Sequence, residues 1–421
     1  MKLRRSKNKG WYEIRSECPI CGHKGWCRIN EERTIVHCMR VPSDDYFDSP
    51  IGRQYRHYLS DVHFDAAFDD VEETSDIDKK PNDYLDAVYR TLLEEVSLSD
   101  FHHKELAERK FTDEQIRLRE YRSLPTNDRH KTTKRVLNRL SDHDALLGVP
   151  GFYEKEGGQN GSFWTMAGHS GMMIPSRSIY NEITGFQIRV DQPPLELNFK
   201  GDLGHIEGRI IKELEKDESG FRKATCEIVK NGRRLVGELT EKIQQDIYDS
   251  ATGKIVGSVK LTQGQKYYWW SSSNKNNGSS IGSPLPYHFS LPSSLMDKWN
   301  YNVTPDRLID CSEVWVTEGG LKSDRAADAL FKPFFGTPGL NSFSLILEPL
   351  KALGCEHVVI VPDADVTITP QVELALGQCA EFFATNTNMK LSLAMWDLSL
   401  GKGIDNLVDN GFIPQVTTLV G

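Results

Sequence analysis

The sequence of 421 residues predicts a multidomain protein in which β-rich domains precede a C-terminal α/β domain built on a parallel sheet. Three observations support this prediction. Four cysteines are grouped near the N-terminus, strand and loop patterns dominate the middle of the chain, and short apolar strands alternate with helices after residue 310. With 38% hydrophobic residues, a chain of this length is expected to form two to four domains with proper cores.

The composition also limits where the protein can act. The sequence has no run of 18 apolar residues, so we expect no membrane span. The basic N-terminus is not followed by an apolar segment, so it is not expected to be a secretory signal. Eight cysteines are too few for a disulfide scaffold in a chain this long. These features predict a protein of a reducing compartment, the cytoplasm.

Charge is distributed in alternating blocks along the chain. The net charge is −9, but residues 1–40 carry +6, residues 61–86 carry −8, residues 103–140 carry +5 and residues 301–421 carry −8. The overall charge argues against binding to nucleic acid. The blocks argue differently, because a basic block can hold phosphates and an acidic block can hold Mg²⁺.

The first predicted element, residues 1–60, is a zinc ribbon. Its four candidate ligands are Cys18, Cys21, Cys27 and Cys38. The first two form a Cys-x-x-Cys knuckle, and the other two flank a short predicted hairpin with its turn at 30–32. Four thiolates suit a tetrahedral Zn²⁺ site, and a segment this small depends on the metal to fold. His23 and His37 are alternative ligands.

Residues 61–145 are predicted to be an acidic linker followed by a helical segment. The linker, residues 61–86, is expected to be loosely ordered because of its charge. In FTDEQIRLREY a helix is predicted to start after Thr112, since Gln115 completes a capping box. The basic side chains of this segment either line a path for nucleic acid or form a solvated helical face.

Residues 146–305 are predicted to form a subdomain of strands and loops. GMMIPSRSIYNEITGFQIRVD has the pattern of a hairpin. A similar strand pattern resumes at QKYYWWSSSN. The material between them, residues 201–263, has its own turn sequences. It is therefore predicted to be a β-rich insert, and it carries no recognisable chemistry.

Residues 306–421 are predicted to form the α/β domain. Strands such as EVWVTEGG and HVVIVPDAD alternate with helices, one of which is expected over SFSLILEPLKALG, ending at Gly354. Sites in such sheets lie at the carboxyl ends of the strands. Glu318 ends one strand, and Asp363 and Asp365 end another, so the three carboxylates are predicted to meet at one edge.

Asp363 and Asp365 are separated by one residue, so their negative charges are expected to repel each other. Like charges are tolerated when a divalent cation neutralises them, and carboxylate oxygens suit Mg²⁺ or Mn²⁺. The alternative is that an aspartate after a strand caps the next helix. One aspartate fits that role, but the pair together with Glu318 fits it less well.

These motifs carry a resemblance to a known family. Three segments resemble the TOPRIM fold of bacterial primases, topoisomerases and some nucleases. They are VWVTEGGLKSD with Glu318, VVIVPDAD with the aspartate pair, and GKGIDN with Lys402 and Asp405. GFQIRVD and the later KYYWWSS are similar to the basic subdomain that precedes TOPRIM in bacterial-type primases. With the ribbon in front, the order resembles the primase-like proteins of plasmids, phages and integrative elements.

The resemblance implies an activity and its site residues. A DNA primase is a nucleotidyltransferase that joins nucleotides on a single-stranded DNA template. Glu318, Asp363 and Asp365 would be catalytic and would hold Mg²⁺ or Mn²⁺. The residues expected to bind nucleotide or template, or to support that binding, are Arg189, Lys266, Lys322, Lys402 and Asp405. Asp405 would complete the acidic cluster or orient Lys402, and Lys322 is alternatively a solvated surface lysine.

The ribbon would hold the template strand through Trp26, Arg28 and Arg33. Trp26 is alternatively part of the ribbon's own small core. The ribbon spacing departs from the Cys-His-Cys-Cys pattern of the housekeeping bacterial enzyme. The sequence contains no Gly-x-x-x-x-Gly-Lys-Ser/Thr motif, so no fused P-loop helicase is expected, and the chain would need a separate helicase or polymerase, or none. The resemblance implies single-stranded DNA and NTPs as the other partners.

Two rival functions use the same fold. A TOPRIM nuclease would hydrolyse a phosphodiester with the same carboxylates. A non-catalytic module would only bind single strands within a replication complex. The basic subdomain and the ribbon favour a primase over a nuclease, and the three carboxylates favour an enzyme over a binding module. A topoisomerase would need a large DNA gate, for which the chain is too short.

Overall fold

The computed structural model is a mixed α/β, sheet-rich structure with several sheets. It describes the chain except for residues 1–2, 7–9, 24, 50–51, 60–70, 73–76, 158–160, 202–205, 231–232, 249–251, 283–284, 366–369 and 421. The chain forms two compact units, one made of Met1–Ile188 with Trp269–Gly421 and the other of Arg189–Tyr268. Within the described ranges, no helix is both long enough and apolar enough to cross a bilayer.

The N-terminal region is a seven-stranded sheet with the order β5-β6-β4-β3-β2-β1-β7. Its strands are β1 (Leu3–Arg5), β2 (Trp11–Ile14), β3 (Arg28–Asn30), β4 (Ile35–Cys38), β5 (Tyr46–Ser49), β6 (Gly52–Tyr58) and β7 (Val71–Glu72). The predicted hairpin is β3–β4, and its turn is held by the Asn30 side chain, which accepts from the backbone amide of Thr34 at 2.8 Å. The sheet has a small apolar core that includes Ile14, Ile29 and Val36.

A helical segment follows. Its elements are α1 (Asn82–Glu95), α2 (Asp100–Glu108), α3 (Asp113–Arg119), β8 (Arg122–Leu124) and α4 (Arg129–Leu140). The capping box predicted for α3 is confirmed, because the side chains of Thr112 and Gln115 each accept from the other's backbone amide. Most of the predicted acidic linker, residues 61–70 and 73–76, lies outside the described residues. Its last part is not loose chain, since α1 already begins at Asn82.

The next four strands surround one buried indole side chain. They are β9 (Phe152–Glu156), β10 (Ser162–Met166), β11 (Gly171–Arg177) and β12 (Ile183–Val190). As predicted, β11 and β12 are neighbours, in a sheet ordered β19-β12-β11-β8, with β19 at Tyr267–Trp269. Trp270 is fully buried against Tyr89, Phe152 and Phe186. Gly151 is required beside it, because a Cβ there would collide with the indole and its φ is +94°.

The second unit consists of two three-stranded sheets, ordered β13-β18-β17 and β14-β15-β16. Its strands are β13 (Leu195–Gly201), β14 (Ile206–Leu214), β15 (Lys223–Lys230), β16 (Arg233–Thr240), β17 (Gln244–Tyr248) and β18 (Ile255–Gln263). Leu195, Cys226 and Leu261 belong to its core. The β-rich insert predicted at 201–263 lies within this unit.

The C-terminal domain contains a six-stranded sheet with the order β20-β22-β21-β23-β24-β25. The strands are β20 (His288–Ser290), β21 (Glu313–Glu318), β22 (Phe334–Thr337), β23 (His357–Val361), β24 (Lys390–Met395) and β25 (Gln415–Val420). The helices are α5 (Gly320–Leu330), α6 (Leu347–Ala352), α7 (Pro370–Asn386) and α8 (Ile404–Asp409). β22, β21, β23 and β24 are parallel, as predicted, and antiparallel strands lie at both edges.

One predicted helix of this domain is wrong. The segment from Ser342 to Gly354 is not a single helix, because a 3₁₀ turn over Leu340–Ile346 precedes the short helix α6. Pro349 explains the break. Proline has no amide hydrogen and is tolerated only in the first turn of an α-helix, so the helix begins at Leu347.

The N-terminal sheet packs on α7 and on the 3₁₀ turn that follows β22. Arg53, 8% exposed, pairs with Glu381 of α7 at 2.6 Å. The amide of Gln378 donates to the hydroxyl of Tyr55. Ser344 donates to the backbone carbonyl of Ser49 at 3.1 Å. The cysteine-bearing sheet is therefore docked on the α/β domain through polar contacts.

A buried charged network joins the helical segment to the α/β domain. Arg119, at the end of α3, pairs with Asp324 and, at 2.9 Å, with Asp328, both on α5. Tyr121 also donates to Asp324. His288 Nδ1 accepts from the amide of Arg177, so its Nε2 carries the proton and donates to Asp324 at 3.0 Å.

Burial by itself would raise the pKa of Asp324. The charge of Arg119, together with His288, more than offsets this and holds the pKa well below its usual range. The carboxylate is therefore ionised and fully paired inside the protein.

Candidate active site at the carboxyl edge of the sheet

Glu318 and the aspartate pair follow neighbouring parallel strands. Thr317 of β21 pairs with Val361 of β23, so Glu318 and Asp363 leave the sheet at the same edge. Gly319 follows Glu318 with a φ of +83°, which lets the chain turn sharply into α5. The loop with Asp363 is held against the loop with Lys402, because the amide of Ala364 donates to the Lys402 carbonyl at 2.8 Å.

Two lysines lie among the carboxylates. Lys322, in the first turn of α5, donates to Asp363 Oδ1. Lys402 Nζ donates to Asp365 Oδ2 at 2.7 Å and lies 3.9 Å from Asp363 Oδ2. The two aspartates are thus not simply crowded like charges, as the sequence alone indicates, because each has an ammonium group of its own.

The ionisation of this cluster follows from these contacts. The hydrogen bond from Lys402 holds the pKa of Asp365 below its usual range. In return, Asp365 raises the pKa of Lys402, and the charges of Asp363 and Glu318 add to this effect. Glu318 therefore belongs to the same electrostatic cluster as the aspartate pair.

Asp405 is the fourth carboxylate at this edge. It lies at the start of α8 and is 7% exposed. Its Oδ2 is 3.5 Å from Arg109 Nη1, whereas its buried Oδ1 has no hydrogen-bond partner within the described part of the chain. A Cβ at Gly403 would collide with that Oδ1 and would lie 3.1 Å from Lys322 Cε, so both atoms border the same point.

The four N-terminal cysteines meet in one cluster. Their sulfur atoms all lie within 4.8 Å of one another, and Sγ of Cys21 is 3.9 Å from Sγ of Cys27. A tetrahedral zinc site with Zn–S bonds of about 2.3 Å places its sulfurs about 3.8 Å apart, so the donor set fits Zn²⁺. Backbone amides also donate to these sulfurs, from Ile20 to Cys18 and from Arg40 to Cys38, both at 3.4 Å.

Neither histidine considered as an alternative ligand belongs to this cluster. His23 Nδ1 lies 2.6 Å from the backbone carbonyl of Cys21, and the ring of His37 stacks on Trp11 with 3.8 Å between centroids. The sulfurs of Cys18 and Cys38 raise the pKa of Cys27 well above its usual value. A bound cation reverses this effect, because it stabilises the thiolates.

Loss of the cysteine cluster is expected to unfold the N-terminal sheet alone. Cys27→Ser should lose zinc and expose residues 3–58 to protease, because that sheet has a small apolar core whereas the α/β domain has a large one. His23→Ala is the matched control and should retain its zinc. Metal analysis and limited proteolysis measure both effects. A wild-type protein that contains no zinc would contradict the assignment of the four cysteines.

Other predicted site residues are spread over the two units. Arg189 and Lys266 belong to the second unit, at its two ends, where the amide of Val190 donates to the carbonyl of Lys266 at 2.9 Å. In the ribbon, Trp26 is 40% exposed and lies outside the apolar cluster of the sheet. An exposed indole is available for stacking on an unpaired base.

Neither Arg109 nor the His288–Asp324–Arg119 network is indicated by a pattern in the sequence. Arg109 lies on the helical segment, 296 residues before its partner Asp405. Asp324 is part of the VWVTEGGLKSD motif, but nothing in that motif indicates a buried arginine from α3 as its partner. Pairing over such separations leaves no local pattern in the sequence.

The chain is similar to several solved structures at low sequence identity. No family model matches it, and no curated protein matches it. Among solved structures, the zinc-binding and RNA polymerase domains of the Aquifex aeolicus primase align over 99% of this chain and 81% of that chain, at 10% identity and a TM-score of 0.43. The RNA polymerase domain of Mycobacterium tuberculosis primase DnaG aligns over 78% and 79%, at 12% identity and a TM-score of 0.42.

A DnaG primase catalytic domain bound to ssDNA aligns over 78% of this chain and 74% of that chain, at 13% identity and a TM-score of 0.41. Similarity at this level does not fix the activity or the ligands of this chain. Those have to be inferred from its own side chains.

Proposed function

We propose that this protein is a primase-like nucleotidyltransferase that makes short primers on single-stranded DNA. The observation that carries the proposal is the cluster of Glu318, Asp363 and Asp365 with Lys402 at the carboxyl edge of a parallel sheet. The four-cysteine cluster that fits zinc, in the same chain, favours a template-handling enzyme over a simple hydrolase. The order of ribbon, basic subdomain and acidic motifs further favours a role in the replication of a mobile element, with a separate helicase or polymerase as partner.

The residues suit transfer of a nucleotidyl group. Glu318, Asp363 and Asp365 would hold Mg²⁺ or Mn²⁺, and the buried Asp405 oxygen adds a further carboxylate donor beside them. When bound, the cation would neutralise charge that develops on the reacting phosphate. The N-terminus of α5, directly after Glu318, also favours a phosphate.

The chain's own groups would then position the reactants. The 3′ hydroxyl of one nucleotide attacks the α-phosphate of the next, a new P–O bond forms, and the bond to pyrophosphate breaks. Glu318 would either hold the cation or accept the proton of that hydroxyl, and Lys402 would orient the carboxylates and the phosphates. Arg189 and Lys266 would hold phosphates of the template or the nucleotide.

One assay tests the proposal. The full chain is incubated with a single-stranded template and labelled NTPs, with Mg²⁺ or Mn²⁺ and without either. Short labelled products that depend on the added cation support a primase. A shortened template indicates the nuclease, and binding without either product indicates the non-catalytic module, so either result overturns the proposal.

Arg189→Ala and Lys266→Ala are expected to weaken binding to single strands. Each change removes about one phosphate contact, so the slope of log K against log salt should fall by about 0.7 in magnitude. Lys254→Ala is the matched control, an exposed lysine of the same unit to which no phosphate contact is assigned. Fluorescence anisotropy over a salt titration measures the slopes. Unchanged slopes in both variants would remove these residues from the nucleic-acid path.

A further inference from the structure

The balance of charge at the carboxyl edge differs from that of a purely acidic metal site. Four carboxylates lie there, from Glu318, Asp363, Asp365 and Asp405, together with three cationic groups, Lys322, Lys402 and Arg109. The net charge of this group is therefore −1. Adding one divalent cation leaves the group weakly positive, whereas adding two leaves it strongly positive, so the charges present favour a single cation.

Lys322 is the cation that lies deepest in the group. Its side chain is 26% exposed and that of its partner Asp363 is 20% exposed, whereas Lys402 is 61% exposed. Lys322 is also anchored by the first turn of α5, so its stem starts at a fixed point beside Glu318. Lys402 can swing into solvent toward a substrate, but Lys322 is confined among the carboxylates.

The buried oxygen of Asp405 gives independent support for a cation at this point. Asp405 is 7% exposed, and its Oδ1 lacks a hydrogen-bond partner within the described ranges. A buried carboxylate oxygen without a donor is costly, and a nearby cation removes the cost. The Lys322 side chain passes beside this oxygen, since Lys322 Cε and Asp405 Oδ1 border the same point at Gly403. The ammonium group of Lys322 donates to Asp363 and not to Asp405, so the Asp405 oxygen is left for one further cation.

We propose that the site takes a single divalent cation, and that the ammonium group of Lys322 permanently occupies the position that a second cation would take. The inference rests on the proposed function, in which Glu318, Asp363 and Asp365 hold the cation. Asp363 Oδ1 accepts from the Lys322 ammonium group, and the other carboxylate oxygen of Asp363 would contact the divalent cation. Lys322 is a charge-compensating residue that keeps the carboxylates close together and leaves the group ready for one cation and one phosphate.

Binding of Mn²⁺ tests the proposal without any turnover. The zinc-loaded full chain is titrated with Mn²⁺, and free Mn²⁺ is counted by electron paramagnetic resonance. Wild type should bind one Mn²⁺ at the carboxyl edge. Lys322→Asp should bind two, because it replaces the ammonium group by a further carboxylate. Lys332→Ala is the matched control and should bind one, since this lysine pairs with Glu313 at the opposite end of β21.

A second variant covers the case in which Lys322→Asp does not fold. Lys322→Met keeps the length of the side chain and removes its charge, so it should bind the single Mn²⁺ about tenfold more tightly. Two Mn²⁺ ions in wild type would overturn this inference and leave the proposed function intact. One ion in Lys322→Asp, or unchanged or weaker affinity in Lys322→Met, would also overturn it. No Mn²⁺ in wild type would overturn the metal site itself, and the primer assay would then separately decide the fate of the proposed function.

Discussion

The double variant Asp363→Asn, Asp365→Asn is expected to lose primer synthesis by about 10³-fold or more, because the change removes two of the charged ligands proposed for the cation. Asparagine keeps the size and much of the hydrogen bonding of aspartate. If the pair served only to cap a helix, asparagine would be nearly as good and activity would persist. Binding of the template should survive, since it is assigned to the basic subdomain and the ribbon. The assay is primer synthesis with Mg²⁺, beside anisotropy for binding.

The structure alters what this variant should do to stability. Two crowded aspartates without partners would predict a higher melting temperature once their charges are removed. In the structure each aspartate pairs with a lysine, and exposed pairs such as Lys402–Asp365 contribute about 0–1 kcal/mol. The metal-free melting temperature should therefore stay the same or fall slightly. Glu348→Gln, in an exposed pair with Lys351, is the control. An active double variant would contradict the metal site.

Arg119→Ala is expected to destabilise the fold by about 3–5 kcal/mol, because breaking a buried ion pair leaves an uncompensated buried charge. Arg119 is 3% exposed and lies between Asp324 and Asp328, so its removal leaves two buried carboxylates without their main counter-charge. His288 and Tyr121 remain to contact Asp324, but neither contact replaces the lost charge. Urea denaturation followed by circular dichroism measures the free energy of unfolding.

The matched control for this prediction lies two residues away on the same helix. Arg117 pairs with Glu114 at 2.5 Å, and both side chains are 62% exposed, so Arg117→Ala should leave the free energy of unfolding nearly unchanged. Equal effects in the two variants would mean that the loss of helix-forming arginine, and not of the buried charge, decides stability. In that case the network of Arg119 would have no special role.

The parallel sheet and its acidic edge could be predicted because they depend on local patterns. Apolar strands followed by Glu318 and by the PDAD segment are visible in the sequence, and parallel pairing brings their carboxyl ends together. The cysteine cluster could be predicted for the same reason, since its spacing fixes which sulfurs can meet. In both cases a few residues, read locally, determine the arrangement.

The partners of the charged side chains could not be predicted in this way. The sequence predicts that Lys322 contacts phosphate, but it does not predict the hydrogen bond from Lys322 to Asp363, which is 41 residues away in sequence. The contact depends on where a flexible side chain settles between two loops, and no sequence spacing encodes that. Arg109 and Arg119 come from the helical segment, and only the packing of that segment on the α/β domain brings them to their partners.

The hydrogen bond between the Val190 amide and the Lys266 carbonyl joins the two ends of the second unit. The chain enters and leaves the second unit at adjacent points. The two flanking strands can therefore pair whatever the length of chain between them. Because loop closure costs little more as a loop grows, this length of chain can lengthen, shrink or be exchanged at small thermodynamic cost. Changes in the length of the second unit between Arg189 and Lys266 are therefore expected to cost little stability in the strands that flank it.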